Sequence, residues 1–374
     1  MGGRDELGAA DVSDQELATM VASHLGQDSV ELLESRADPV DYDLPAITTG
    51  GRWWVSGHGA TEGGRRVPFR FFVKQVQSWE RHPFFALVPE EFRELAVAGV
   101  PWKTEAEVYR CDLARRLPQG LSAPRALGVF DLDATSSAIW IEEVPTRPAN
   151  WDRQRYKRAA HLLGRLSASR ELAPLAGLRD VDWSITTYAS GRLAVQVVPL
   201  LMSEELWQHP LCASFDGELR GRLRAAAARA GELAAEADAL PSLLSHGDAC
   251  PNNPLPGEHP DEFVMIDFGF WGSAPVGFDL TQLLVGEVQV GRRGAHDLAE
   301  LDEAIVAAYV DGLRAEGCAV PEEQVRRGHA LCLLLMTGLS TVPFDLFNDP
   351  MTPETQRIAA DRAAVARYAL DLVG

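Results

Sequence analysis

Two carboxylates and an amide stand in this chain at a spacing that serves phosphoryl chemistry. The stretch His246-Gly247-Asp248-Ala249-Cys250-Pro251-Asn252-Asn253 is followed, fourteen residues after Asn253, by Asp267-Phe268-Gly269 at the end of the apolar run Phe263-Val264-Met265-Ile266. A carboxylate at Asp248 can accept the proton of an attacking hydroxyl. The amide oxygen of Asn253 and the carboxylate of Asp267 suit a hard, oxygen-seeking ion such as Mg²⁺ on a nucleoside triphosphate. A five-residue loop returns Asn253 to the same mouth as Asp248, and a strand ending at Ile266 delivers Asp267 beside them. His246, ahead of such a loop, is expected to brace the backbone.

Those groups need a cation for the phosphates, and the chain is poor in lysine: Lys74, Lys103 and Lys157 are all it has. Lys74 closes the strand-like run Phe69-Arg70-Phe71-Phe72-Val73, which places it best for phosphate oxygens. A helix over Glu105 to Leu117 supplies a glutamate to aim it, Glu105 by preference and Glu107 as the rival. No G-x-G-x-x-G precedes Lys74, so the phosphate cover is expected from Thr48-Thr49-Gly50-Gly51, whose N–H groups can approach oxygens closely. Gly57 and Gly59 are the second choice.

The elements around these residues read as strands first and helices after. Residues 11 to 35 have the pattern of an amphipathic helix, opened by Ser13 with Glu16 three residues on. Leu44 to Thr49, Trp53 to Val55 and Phe69 to Lys74 follow as a three-strand meander with glycine turns at Gly50-Gly51 and Glu62-Gly63-Gly64. Strands at Ala126 to Phe130 and Ala138 to Val144 end before Pro145 and Pro148, which mark a linker. Glu142, Glu143 and Val144 there are candidates to meet an adenine ring. Beyond Asn150 the chain reads as mostly helical, with short strands at Ile185 to Tyr188, Leu193 to Val198 and Phe263 to Ile266.

Composition excludes several classes. A formal charge of −19 argues against nucleic acid, whose binding needs clustered Lys and Arg, and mildly favours a cationic substrate. No apolar run approaches the ~18 residues of a membrane span, and the N-terminus lacks a signal core, so a cytoplasmic protein with no membrane partner is expected. The five cysteines, Cys111, Cys212, Cys250, Cys318 and Cys332, are scattered and have no C-x-x-C pair. Reduced thiols are the simplest reading, with Cys250 a buried spectator.

The set H-G-D-x-x-x-x-N with I-D-F-G, together with Lys74, Glu105, the hinge and Gly277-Phe278-Asp279-Leu280, resembles the aminoglycoside phosphotransferase and choline kinase superfamily over about residues 43 to 290. The resemblance implies an α+β, protein-kinase-like bilobal fold: a small, mainly antiparallel β lobe over 1–144 and a larger helical lobe over 145–374. It implies Asp248 as the catalytic aspartate, Asn253 and Asp267 as metal ligands, Lys74 at the α and β phosphates, and Asp279 as a brace of the catalytic loop. ATP (or GTP) and Mg²⁺ are the implied cofactors. The acceptor it implies is a small polar hydroxyl compound, favoured as an aminoglycoside or other aminated sugar or amino alcohol, which carries with it a possible role in antibiotic resistance. A metabolic sugar or choline-like kinase and a catalytically silent binding protein are the alternatives. Gly247 stands where a protein kinase has arginine, and eleven residues between Asp267 and Asp279 are too few for an activation loop, so a protein substrate is not expected. Trp79 to Trp102 reads as an insertion, and Trp271, Trp183, Asp345 and Asp349 are guesses for the acceptor pocket. The oligomeric state is not legible.

Overall fold

The computed structural model describes residues 3–41, 46–111, 113–145 and 147–374. Helix α1 (Asp14–Leu25) opens with the expected capping box, in which Ser13 and Glu16 satisfy each other's backbone N–H groups. It is shorter than the pattern over 11 to 35 suggested. Gly26 takes a left-handed conformation and closes the helix, after which β1 (Val30–Pro39) runs antiparallel to β2 (Thr49–Thr61), with Val30 opposite Thr61 and Pro39 opposite Trp53. Short apolar runs carry helix and strand patterns alike, and here pairing with β2 decides.

The meander is therefore β1, β2 and β3 (Arg66–Gln77), one strand earlier in the chain than expected. Of the expected first strand, Leu44 lies outside the described residues, and Ala46 to Thr49 form a turn closed by the Thr49 N–H on the Ala46 carbonyl at 3.0 Å. Gly50 and Gly51 lie inside β2 at a bulge against β3.

Helix α2 (Arg93–Ala98) follows a run of 3₁₀ turns from Trp79, and α3 (Thr104–Arg110) stops where Cys111 becomes extended, short of the expected Leu117. Next come β4 (Leu121–Ser122), β5 (Ala126–Asp133) and β6 (Ser136–Glu142). The five-stranded antiparallel sheet has the order β1-β2-β3-β6-β5. Leu17 and Val21 of α1 pack with Val55, Phe71, Val73 and Trp140 in one core, and Val76, Ile139 and Ile141 belong to the core shared with the helical part.

Helices dominate the rest: α4 (Arg153–Ala168), α5 (Ile185–Tyr188), a π-helical stretch Ala189–Val197, α6 (Val198–Met202), α7 (Gly217–Ala228) and α8 (Ala230–Asp238). Ile185 to Val198 is thus helical where short strands were expected. The Ser184 hydroxyl caps the Thr187 N–H, and Asp238 accepts the N–H groups of Ile185 and Thr186 at 3.0 and 2.8 Å, so local capping outweighs β-branched propensity. Four short strands, β7 (Ser242–Ser245), β8 (Pro254–Pro256), β9 (Phe263–Met265) and β10 (Gly272–Pro275), frame the loops that carry the acidic residues. They pair as β7 with β10 and as β4-β9-β8. Helices α9 (Phe278–Gln289), α10 (Leu298–Ala315), α11 (Glu322–Cys332) and α12 (Pro353–Val373) complete the chain. The stretch Glu322–Leu346 is long and apolar enough to cross a membrane by length and composition, but 72% of its apolar window is buried in the fold, which accounts for its hydropathy as core.

Candidate active site

The loop from His246 to Asn253 links β7 to β8, and one buried carboxylate holds its entry. Asp279, in the first turn of α9, accepts the Ser245 hydroxyl at 2.7 Å and the backbone N–H groups of His246 and Gly247 at 2.9 Å each. Gly247 has φ +87°, and a Cβ there would lie 2.1 Å from the Phe270 carbonyl oxygen, so both handedness and close approach demand glycine. His246 is fully buried. Its Nδ1 accepts the Asp248 N–H at 3.3 Å, and its Nε2 donates to the Ile266 carbonyl at 3.0 Å. The imidazole thus ties the loop to the strand that delivers Asp267, a bracing role.

Asn253 closes the loop: its amide nitrogen donates to the Asp248 carbonyl at 2.7 Å and to Asp248 Oδ2 at 3.1 Å. Its backbone carbonyl accepts the Ile266 N–H at 3.1 Å. Asp248, Asn253 and Asp267 are thereby assembled as the spacing suggested. Burial, and next the charge of Asp267, push the Asp248 carboxyl above the usual carboxylate range. Asp267 has φ +62°, the only positive φ outside glycine among the described residues. Such a conformation is strained for a residue with a Cβ, and strain of this kind gathers at working sites.

Lys74 reaches this cluster from β3. Its ammonium is 2.5 Å from Glu105 Oε2 and 2.9 Å from Asp267 Oδ1. Burial alone would favour the neutral amine, but the two carboxylates hold the ammonium charged, above its ordinary range. Glu107 lies instead with Lys103 and Arg110 at the surface, so the choice between the glutamates falls on Glu105. α3 is held by a residue that sequence reasoning missed. Asp180 accepts the Lys103 N–H at 3.1 Å and the Thr104 hydroxyl at 2.6 Å, with the Trp102 N–H at 3.4 Å. Its neighbour Arg179 donates to the carbonyls of Phe270, Trp271 and Ser273, and burial pushes its guanidinium down to about 10. The only sequence signal for either was a charged pair beside Trp183.

A cleft of about 1020 Å³ joins these groups and is lined by Lys74, Glu105, Asp248 and Asp267 together with Thr48 and Thr49. Gly50 and Gly51 are not among its lining residues: a Cβ at Gly50 would meet the Gln77 and Gln75 side chains, and one at Gly51 the Trp53 ring. The glycines allow packing across the sheet, and the turn facing the cleft is Ala46 to Thr49. Gly57 and Gly59 pair with β1 in mid-strand. Glu142 Oε1 accepts the Arg125 N–H at 2.8 Å and Glu143 pairs with Arg70 at 2.5 Å. Neither these side chains nor half-buried Val144 line the cleft.

Of the pocket guesses, only Trp183 lines the cleft. Trp271 is fully buried with its Nε1 on the Leu175 carbonyl, Asp345 is engaged by Arg362, and Asp349 lies outside the cleft lining. The Cys250 thiol is pushed up by burial, and next by Asp248, as suits a spectator.

A family model described as the phosphotransferase enzyme family matches residues 100–320, more than half of the chain. The chain belongs to that family. The matched span of this phosphotransferase includes the His246–Asn253 loop, Asp267 and Asp279, and Lys74 lies ahead of it. Family membership makes the chain a small-molecule kinase. The fold is the expected α+β arrangement of an antiparallel sheet lobe and a helical lobe. Similar solved structures include the amicoumacin kinase hAmiN with AMP-PNP and Ca²⁺, at 14% identity over 97% of this chain and 96% of that one, TM-score 0.49. The aminoglycoside phosphotransferase APH(3'')-Id from Streptomyces rimosus with ADP and streptomycin is 18% identical over 80% and 92%, TM-score 0.41. A Plasmodium vivax ethanolamine kinase is 11% identical over 90% and 81%, TM-score 0.46. No curated protein matches the chain.

Proposed function

We propose that the chain is an ATP- and Mg²⁺-dependent O-phosphotransferase whose acceptor is a small hydroxyl compound. The reading is carried by the convergence of Asp248, Asp267 and the Lys74–Glu105 pair on one cleft. Asp248 stands as the base: it accepts the hydroxyl proton as the hydroxyl oxygen bonds to the γ-phosphorus, and the bond to the β,γ-bridging oxygen breaks to release ADP. A carboxyl raised by burial is a stronger base than an exposed one, and Asn253 keeps it oriented. Lys74 neutralises charge on the α and β phosphates, held in place by Glu105. The turn Ala46 to Thr49, which lines the cleft, is the phosphate cover in this reading.

The donor set fits Mg²⁺. Asp267 has one oxygen on Lys74 and a second for an ion, and Asn253 commits its nitrogen to Asp248, which leaves its carbonyl oxygen as the remaining polar end. Two hard oxygens suit an ion that keeps water and phosphate oxygens in its shell. When bound, the ion would neutralise charge on the β and γ oxygens.

Asp248→Ala is expected to lower turnover by ~10² or more with ATP binding nearly intact. ADP release with an acceptor panel, and thermal stabilisation by ATP with Mg²⁺, measure the two. Near-wild-type turnover in the variant would sink the mechanism.

A further inference from the structure

The described residues on the acceptor side of the cleft offer few acids to a cation. Among the described residues that line it, the carboxylates are Glu105, Asp248 and Asp267. Glu105 and Asp267 are both bonded to Lys74, and Asp248 is the residue read above as the base. Among the described residues no further acid lines the cleft to receive an ammonium group.

Among its described residues the cleft presents instead apolar surface and an exposed cation, Arg192. The run of short turns and α2 between Trp79 and Trp102 places Phe84, Leu87, Phe92 and Leu95 along the cleft wall. Leu87 is 79% exposed and Phe84 52%. Large apolar side chains left open to water along one wall mark a ligand surface. Opposite in sequence, the π-helical stretch contributes Arg192, which is exposed and has no hydrogen bond or ion pair among the described residues. Arg179, in contrast, is spent on three carbonyls. Local π-helical geometry is frequent at functional sites.

We infer that the acceptor is a neutral or anionic hydroxyl compound with an apolar body of ring size or larger, which lies on the Phe84–Leu95 wall, with an anionic or carbonyl oxygen at Arg192. The inference rests on the reading of Asp248 as the base, since that role leaves no acid for a cationic acceptor. A polycationic aminoglycoside would meet Arg192 with like charge and find no free carboxylate.

The test is titration calorimetry on the full chain with AMP-PNP and Mg²⁺, using 2-naphthyl β-D-glucuronide and kanamycin as probes. The glucuronide is expected to bind at least ~10-fold more tightly, as burial of one aromatic body alone allows. Leu87→Asp and Arg192→Glu are each expected to weaken it by about 10-fold, and Arg192→Glu to strengthen kanamycin. Both positions are exposed, so folding is not at stake. Kanamycin binding as tightly as the glucuronide, or glucuronide binding that neither substitution weakens, overturns the inference. Thermal stabilisation by ATP with Mg²⁺ is read on the same samples. Its loss, with glucuronide binding intact, would count against the kinase reading and not against the acceptor class.

Discussion

Around Asp248 the polar groups are answered within the protein, whereas along Trp79–Ala98 the side chains are exposed or half-buried. Asp279 takes three donors, His246 joins Asp248 to Ile266, and Asn253 spans the loop. The outer wall is held by short turns, such as the Phe85 N–H on the His82 carbonyl at 2.8 Å and the Val88 N–H on the Phe85 carbonyl at 3.0 Å. Chemistry that depends on placing a hydroxyl within a hydrogen bond of a base needs a floor with fixed rotamers. Recognition of an apolar body needs area, which is non-directional and tolerates a looser support. On the reading proposed above, the contrast divides reaction from specificity in space.

The contrast breaks or sharpens under substitution. Asp279→Ala leaves a buried hydroxyl and two backbone N–H groups without their acceptor, and is expected to lower stability by about 3 kcal/mol and turnover with it. Urea denaturation measures the first, and an unchanged midpoint would show that the floor does not depend on this brace. Asp180→Ala, at the seam where the wall meets α3, removes a cap and is expected to lower stability by about 1 kcal/mol. Because α3 carries Glu105, it is also expected to raise the KM for ATP a few-fold, while Thr104→Ala, which keeps Asp180 on the Lys103 N–H, does less. An unchanged KM for ATP would confine Asp180 to the wall. Phe84→Ser should change stability by less than about 0.5 kcal/mol. A larger loss, read in the same denaturation series, would mean that the wall is folded as tightly as the floor.

Much of the cluster at the cleft was legible because spacing in a short loop is a local property. His246 to Asn253 and the strand before Asp267 are close in sequence and converge under simple chain geometry. Lys74 stood out through lysine scarcity, and Glu105 through its helix. The glycines at 50 and 51 misled because glycine serves turns and close sheet packing alike, and only the pairing of Gly51 with Gln75 across β2 and β3 separates the two. Trp271 misled for a similar reason: an indole lines a pocket or fills a core according to what its nitrogen reaches, here the Leu175 carbonyl. Asp180 and Arg192 left almost no trace, since nothing along the chain says that residue 180 meets residue 104.

Local sequence by itself determined the capping box of α1, the alternation that buries one face of β3, and the acid-amide-acid set proposed to handle phosphate, because each depends on neighbours within a few residues or on chemical type. Tertiary structure alone decided which strands form the sheet, which glutamate meets Lys74, and how charge is distributed around the cleft. Those depend on contacts between distant parts of the chain. A net charge is a sum over the whole surface, whereas an acceptor meets only the few groups that folding brings to one wall.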